Sequence, residues 1–248
     1  MMMNLLIGFS LSLIISLLAY AKQSLSASGV GAAVLLGTII YGFGGWFSFL
    51  LLMVFFISAS LISLFDAQKE PSNRNAVQVF ANASIAAIMA ILYYSMGREV
   101  YLALLIASIG VSAADTWSSE IGKRSKSDPF HIFKFTKMDK GLSGAISHKG
   151  LMAAFFASLL YMAFATLVMT NTTYILMVFL FSFLGSIIDS MLGVIQVKYK
   201  DVKTKKLTEK NTNHTVYHSG FVWLDNNLVN FLSNTLSILI MSAILLII

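Results

Sequence analysis

The chain has 248 residues, 57% of them hydrophobic and 11% charged, with a formal net charge of +6 and a mean hydropathy of +0.80. That balance excludes an ordinary water-soluble domain and points to an integral membrane protein. The absence of cysteine excludes a disulfide framework, a thiolate nucleophile and any cysteine-ligated metal.

Apolar runs able to cross about 30 Å of hydrocarbon fall at 2–20, 29–42, 46–65, 76–95, 99–116, 150–169, 173–196 and 227–247. The first lacks a basic leader and exceeds the apolar core of a signal peptide, so it reads as a retained span. The second and third are parted only by "GFGGW" (42–46), where glycines permit a tight hairpin or a kink. The expected fold is an all-α, polytopic transmembrane helical bundle of seven or eight spans in one integral membrane domain, 1–248. With eight spans, the loops near 21–28, 66–75, 117–149 and 197–226 share one side. Every lysine and arginine except Arg98 falls in them. Basic residues stay cytoplasmic, which places both termini outside and the long basic loops in the cytosol.

Polar residues in these spans gather toward the loop side. Arg74, Gln78 and Asn82 recur every fourth residue at the start of the fourth span, which aligns them on one stripe. The fifth span runs into "AADTWSSEIGKRSK" (113–126). Asp115 and Ser119 share a face there if the helix continues, with Glu120 beside them. A carboxylate within a span is a functional candidate by default. Asp189 lies among aliphatic residues in "GSIIDSMLGVIQ", and Asp225, Asn226 and Asn230 open the last span in "LDNNLVNFLSN". Amides of this kind often join helices. Three carboxylates accompanied by amides favour a hydrated cation site, because unpaired buried carboxylates would otherwise protonate.

Oxygen donors without cysteine or a fixed histidine set suit Mg²⁺ or Mn²⁺, with Asp115 and Asp189 as the expected ligands. The loop "FKFTKMDKGLSGAISHKG" (133–150) supplies Lys137, Lys140, Gly141 and Gly144, residue types that cradle phosphate. Acids that hold a metal and bases that hold phosphate together predict phosphoryl transfer. His214 and His218 have the spacing of a metal pair but lie in a polar run with no third ligand, and read as loop residues.

The strings "LSASGVGAAVLLGTIIYGFGGW", "RNAVQVFAN", "AADTWSSEIG", "DSMLGVIQ" and "LDNNLVNFLSN", in this order between Leu25 and Asn234, resemble the domain-of-unknown-function 92 family. That family includes transmembrane protein 19 and the phytyl-phosphate kinases of plastid vitamin E synthesis. More distantly the chain is similar to CTP-dependent polyprenol kinases and cytidylyltransferases. The resemblance implies Asp115 and Glu120 at a metal and nucleotide-phosphate site, with Lys137, Lys140, Gly141 and Gly144 in a phosphate loop. Two departures stand out: "LSGAIS" where relatives often have "TSGGVS", and "FANA" where "LANG" is usual. The expected activity is transfer of a phosphoryl group from a nucleoside triphosphate, CTP by resemblance, to a prenyl phosphate drawn from the membrane. The expected partners are membrane lipids, the nucleotide and the prenyl-phosphate substrate, with no nucleic acid. A carrier of phosphorylated lipids and a non-catalytic scaffold are the competing readings.

Overall fold

The computed structural model describes residues 1–64 and 73–247. Lys69 and most of the loop near 66–75 lie outside the described residues. The elements run α1 (Met2–Ala21), α2 (Ala27–Leu64), α3 (Ala76–Met96), α4 (Glu99–Lys123), β1 (Phe130–His131), β2 (Ala145–Ile146), α5 (His148–Thr166), α6 (Thr172–Ile195), β3 (Lys198–Asp201), β4 (Leu207–Thr208), β5 (Thr215–Ser219) and α7 (Asn226–Ile247). Among the described residues, seven helices are long and apolar enough to cross a membrane.

The second and third expected spans are one run of helical hydrogen bonding, α2, of 38 residues. A straight helix of that length would reach about 57 Å, nearly twice the hydrocarbon thickness. It is not straight. Gly45 takes φ 78° and ψ 175°, a backbone shape open to glycine and strained for other residues. The two ends of α2 consequently return to the same place: Ser26 donates its N–H to the Arg74 carbonyl at 3.0 Å, and the Arg74 guanidinium donates to Ser60 Oγ at 3.0 Å. Ring contacts across the turn, such as Tyr41 edge-on to Phe49 at 5.5 Å, close the hairpin. Among the described residues, seven named helices therefore make eight passes along the bundle.

α4 is the pillar of the bundle. Each residue from Leu102 to Ala114 is buried, and α2, α3, α5, α6 and α7 all pack on it. A helix apolar on every side belongs inside a bundle. Its small residues let neighbours approach, as at Gly110, which lies against Ser182 and Tyr161. The Tyr161 hydroxyl crosses to the Leu51 carbonyl at 3.0 Å and ties α5 to the second arm of α2. α4 continues three turns past Ala113, further than the apolar run alone suggests, so Ser119 and Glu120 are helical.

The loops at one end form two small antiparallel sheets, β1–β2 and β4–β3–β5. Lys198 donates to the carbonyls of Gly193 and Val194 at 2.9 and 3.1 Å, a buried lysine satisfying carbonyls of the last turn of α6. His218 lies in β5, where a four-residue spacing does not put it over His214 as a helix would.

Since the chain lacks cysteine, single cysteines report topology directly. With Lys126→Cys and Lys203→Cys, an impermeant maleimide is expected to react from one face of sealed vesicles, and with Trp46→Cys and Arg98→Cys from the other. Trp46→Cys reacting from the same face as Lys126→Cys would contradict the reversal at Gly45.

Candidate functional site

A cavity of about 790 Å³ opens at the loop-bearing end, bounded by α3, α4, α6, α7 and both long loops. α4 delivers Asp115 immediately after its buried stretch, and α6 delivers Asp189, which is 9% exposed. The two carboxyl groups lie within hydrogen-bonding reach of each other. Groups this close need a proton or a cation between them.

α7 fixes one member of the pair. Ser233 Oγ donates to Asp189 Oδ2 at 2.9 Å. With its amide nitrogen turned toward the acceptors, Asn230 donates to the same oxygen at 3.1 Å. One turn deeper, Asn234 accepts from Ser108 Oγ at 2.9 Å and donates to the Ser108 carbonyl and to Ser112 Oγ, each at 3.0 Å. Ser112 in turn donates to the Asn82 carbonyl at 2.8 Å. This buried network joins α3, α4 and α7 beneath the carboxylates with its polar groups paired, the condition under which such networks stiffen a core.

Cations line the same cavity as the acids. Arg74 lies over the Phe56 ring at 5.5 Å. Burial lowers the pKa of its guanidinium from the ordinary value, and the nearby Glu120 carboxylate works the other way. A guanidinium remains charged at any physiological pH. Lys123 pairs with Glu120 at 3.5 Å, and Lys140 donates to the Ser125 carbonyl at 2.7 Å. Gly141 and Gly144 have φ of 84° and 86°. Gly144 also packs onto Val194 so closely that a Cβ would sit 2.8 Å from its methyl group. Between those glycines, the Ser143 N–H donates to a Glu209 carboxylate oxygen at 2.5 Å. An amide of the glycine loop thus already holds an anion, supplied by the other long loop.

Arg74, Gln78, Asn82, Asp115, Ser119, Glu120, Lys140, Gly141, Gly144, Asp189, Asn226 and Asn230 all line this cavity. Gln78 and Asn82 also serve their own helix. Gln78 completes a capping box with Asn75, and Asn82 Nδ2 donates to the Gln78 carbonyl at 2.8 Å. Two expected site residues are not cavity-lining. Lys137 is 86% exposed and pairs with Asp128 at 3.2 Å, because the turn after β1 carries it outward. Asp225 caps α7, accepting the Leu228 N–H at 2.9 Å, so the third carboxylate does not join the other two. The two departures from the family pattern need no special backbone: Ala145 lies in β2 and Ala83 within α3, and neither has positive φ. Lining residues that sequence reasoning missed include Lys210 and Glu209. They sit in a polar run whose composition carries no motif, and only the folding of β4 back toward the glycine loop brings them in.

Three substitutions separate scaffold from surface. Gly144→Ala is expected to cost about 1–3 kcal/mol from strain at positive φ, with the Val194 contact adding to it. Asn234→Leu, which strands buried serines, is expected to cost about 1–3 kcal/mol, while Asn226→Ala at the exposed helix start stays within about 0.5 kcal/mol. Unfolding in detergent measures all three.

A family model described as "Integral membrane protein DUF92" matches residues 10–238. Protein PGR of Arabidopsis thaliana is 31% identical over 93% of this chain and 92% of its own length. A membrane protein of Methanocaldococcus jannaschii is 28% identical over 78% of this chain and 84% of its own. Protein VTE6, chloroplastic, of Arabidopsis thaliana is 30% identical over 54% of this chain and 44% of its own. No solved structure matches. With most of its length matched by the family model and by a relative over nearly the whole of both chains, this chain belongs to the DUF92 family of integral membrane proteins.

Proposed function

We propose that the protein is a kinase of lipid monophosphates, transferring the terminal phosphoryl group of a nucleoside triphosphate to a prenyl phosphate and releasing the prenyl diphosphate and the nucleoside diphosphate. The observation that carries this reading is the pair of carboxylates Asp115 and Asp189 lining one cavity together with Arg74, Lys123, Lys140 and Lys210. The resemblance to phytyl-phosphate kinases, and the identity with VTE6 over about half the chain, favour the prenyl acceptor. CTP rests on resemblance alone. The crowding of basic residues into the loops at this end supports a cytoplasmic site.

A divalent cation suits the donor set. Among the described residues no group of three acidic or histidine side chains gathers, and Mg²⁺ typically uses one or two carboxylates, retains waters and takes further oxygens from substrate phosphates. Asp115 and Asp189 would hold it, and it would neutralise charge building on the transferring phosphoryl group. The remaining work belongs to the chain. Asn230 and Ser233 orient Asp189. Lys140 and the Ser143 amide, the latter able to exchange Glu209 for another anion, bind triphosphate oxygens. Arg74 takes the acceptor phosphate in the paired geometry that guanidinium offers. The acceptor oxygen is already anionic, so no general base is required; the barrier falls through alignment and charge neutralisation.

The carrier reading has less support, since substrate sites of secondary transporters lie near the midplane, whereas these cations occupy one end. The test uses purified protein in detergent, Mg²⁺, labelled CTP, ATP and GTP in turn, and a panel of prenyl monophosphates. Wild type is expected to yield labelled diphosphate, with Asp115→Asn reducing the rate about 10²-fold or more at unchanged thermal stability. Absence of transfer with every nucleotide, together with absence of nucleotide binding, would rule the kinase out.

A further inference from the structure

A second, smaller cavity of about 100 Å³ lies between α1, both arms of α2 and α3, with a wall that is mainly apolar. It shares Arg74, Gln78, Asn82 and Thr116 with the large polar cavity. The two spaces therefore meet at Arg74, whose guanidinium lies over Phe56, itself part of the small cavity's wall. Ser12, 3% exposed, also lines this wall, and its hydroxyl has no hydrogen-bond partner among the described residues.

We infer that this slot seats the phosphate-proximal carbons of the lipid while Arg74 holds its phosphate; the inference rests on the lipid-phosphate reading above. A phosphate on Arg74 lies at the boundary of both spaces, so the carbons bonded to it adjoin the apolar one, and its accepting oxygen points to Asp115 and Asp189. Size restricts what enters. An apolar cavity of about 150 Å³ admits a benzene ring, so 100 Å³ accommodates about four or five carbons, one branched five-carbon unit. The rest of a longer chain lies outside the slot. Selection consequently acts on the first unit of the lipid and not on its full length.

Binding of methyl phosphate and of 3-methylbut-2-enyl phosphate, measured by calorimetry in detergent, tests this directly. Wild type is expected to prefer the five-carbon ligand by about 30-fold, the gain from burying four further carbons less the cost of ordering them. Ala59→Leu and Ala33→Leu, whose parent residues line the slot and not the polar cavity, are expected to bring that ratio near one with methyl phosphate affinity unchanged. A ratio near one in wild type, or one that survives both substitutions, overturns the inference. Should the leucine variants fail to fold, a diazirine-bearing five-carbon phosphate photolabels wild type: attachment to the peptides of Leu36 and Phe55 supports the slot, and attachment confined to the loops overturns it. The two readings fail separately. A retained ratio without phosphoryl transfer removes the kinase and keeps the slot, whereas transfer whose lipid KM is indifferent to both leucines removes the slot alone.

Discussion

The contact between Asp115 and Asp189 is the constraint around which the bundle is arranged. Two carboxyl groups can face each other at the end of a membrane span only if the surrounding helices hold them and supply polar partners, since an acid left alone in hydrocarbon is expensive. α4 meets the first requirement by being buried from Leu102 to Ala114, so that Asp115 has little freedom to move away. α7 meets the second through Asn230 and Ser233. The Asn234–Ser108–Ser112 network lies one turn deeper and fixes the distance between the two helices that carry these partners and the first acid.

Much of the bundle was legible in the sequence, because a span is announced by a long apolar run and the sidedness of loops by lysine and arginine. Asp115, Asp189 and Asn230 were legible for a related reason: polar residues inside such runs stand out. Asp225 stood out equally and is a helix cap, its pairing with Leu228 being a local event that a pattern of acids and amides cannot tell from a site. Lys137 lies away from the cavity for another reason. Lysines three residues apart look alike in a loop, and only the turn after β1 decides that Lys140 faces the cavity while Lys137 meets Asp128. Glu209 had no signal at all, since its role depends on a contact with Ser143 across 66 positions of chain.

Arg74 owes its position to neither helix alone. It precedes α3 by two residues, is stitched by its backbone to Ser24 and Ser26, and reaches the far arm of α2 with its side chain. The reversal at Gly45 is what makes that possible, because it returns the end of α2 to where the helix began. A residue so placed touches an apolar wall and a polar chamber at once, the arrangement a head group joined to a hydrocarbon chain requires.

The same reversal makes the number of helical passes along the bundle even among the described residues. α7 begins at the cavity and α1 ends just before Ser24, whose carbonyl accepts the Arg74 N–H, so each terminal helix runs away from that end of the bundle. The outer ends of both helices therefore lie at the opposite end of the bundle from Asp115 and Asp189. The loops at the cavity's own end contribute lining residues directly, so a change of length there alters the cavity wall itself.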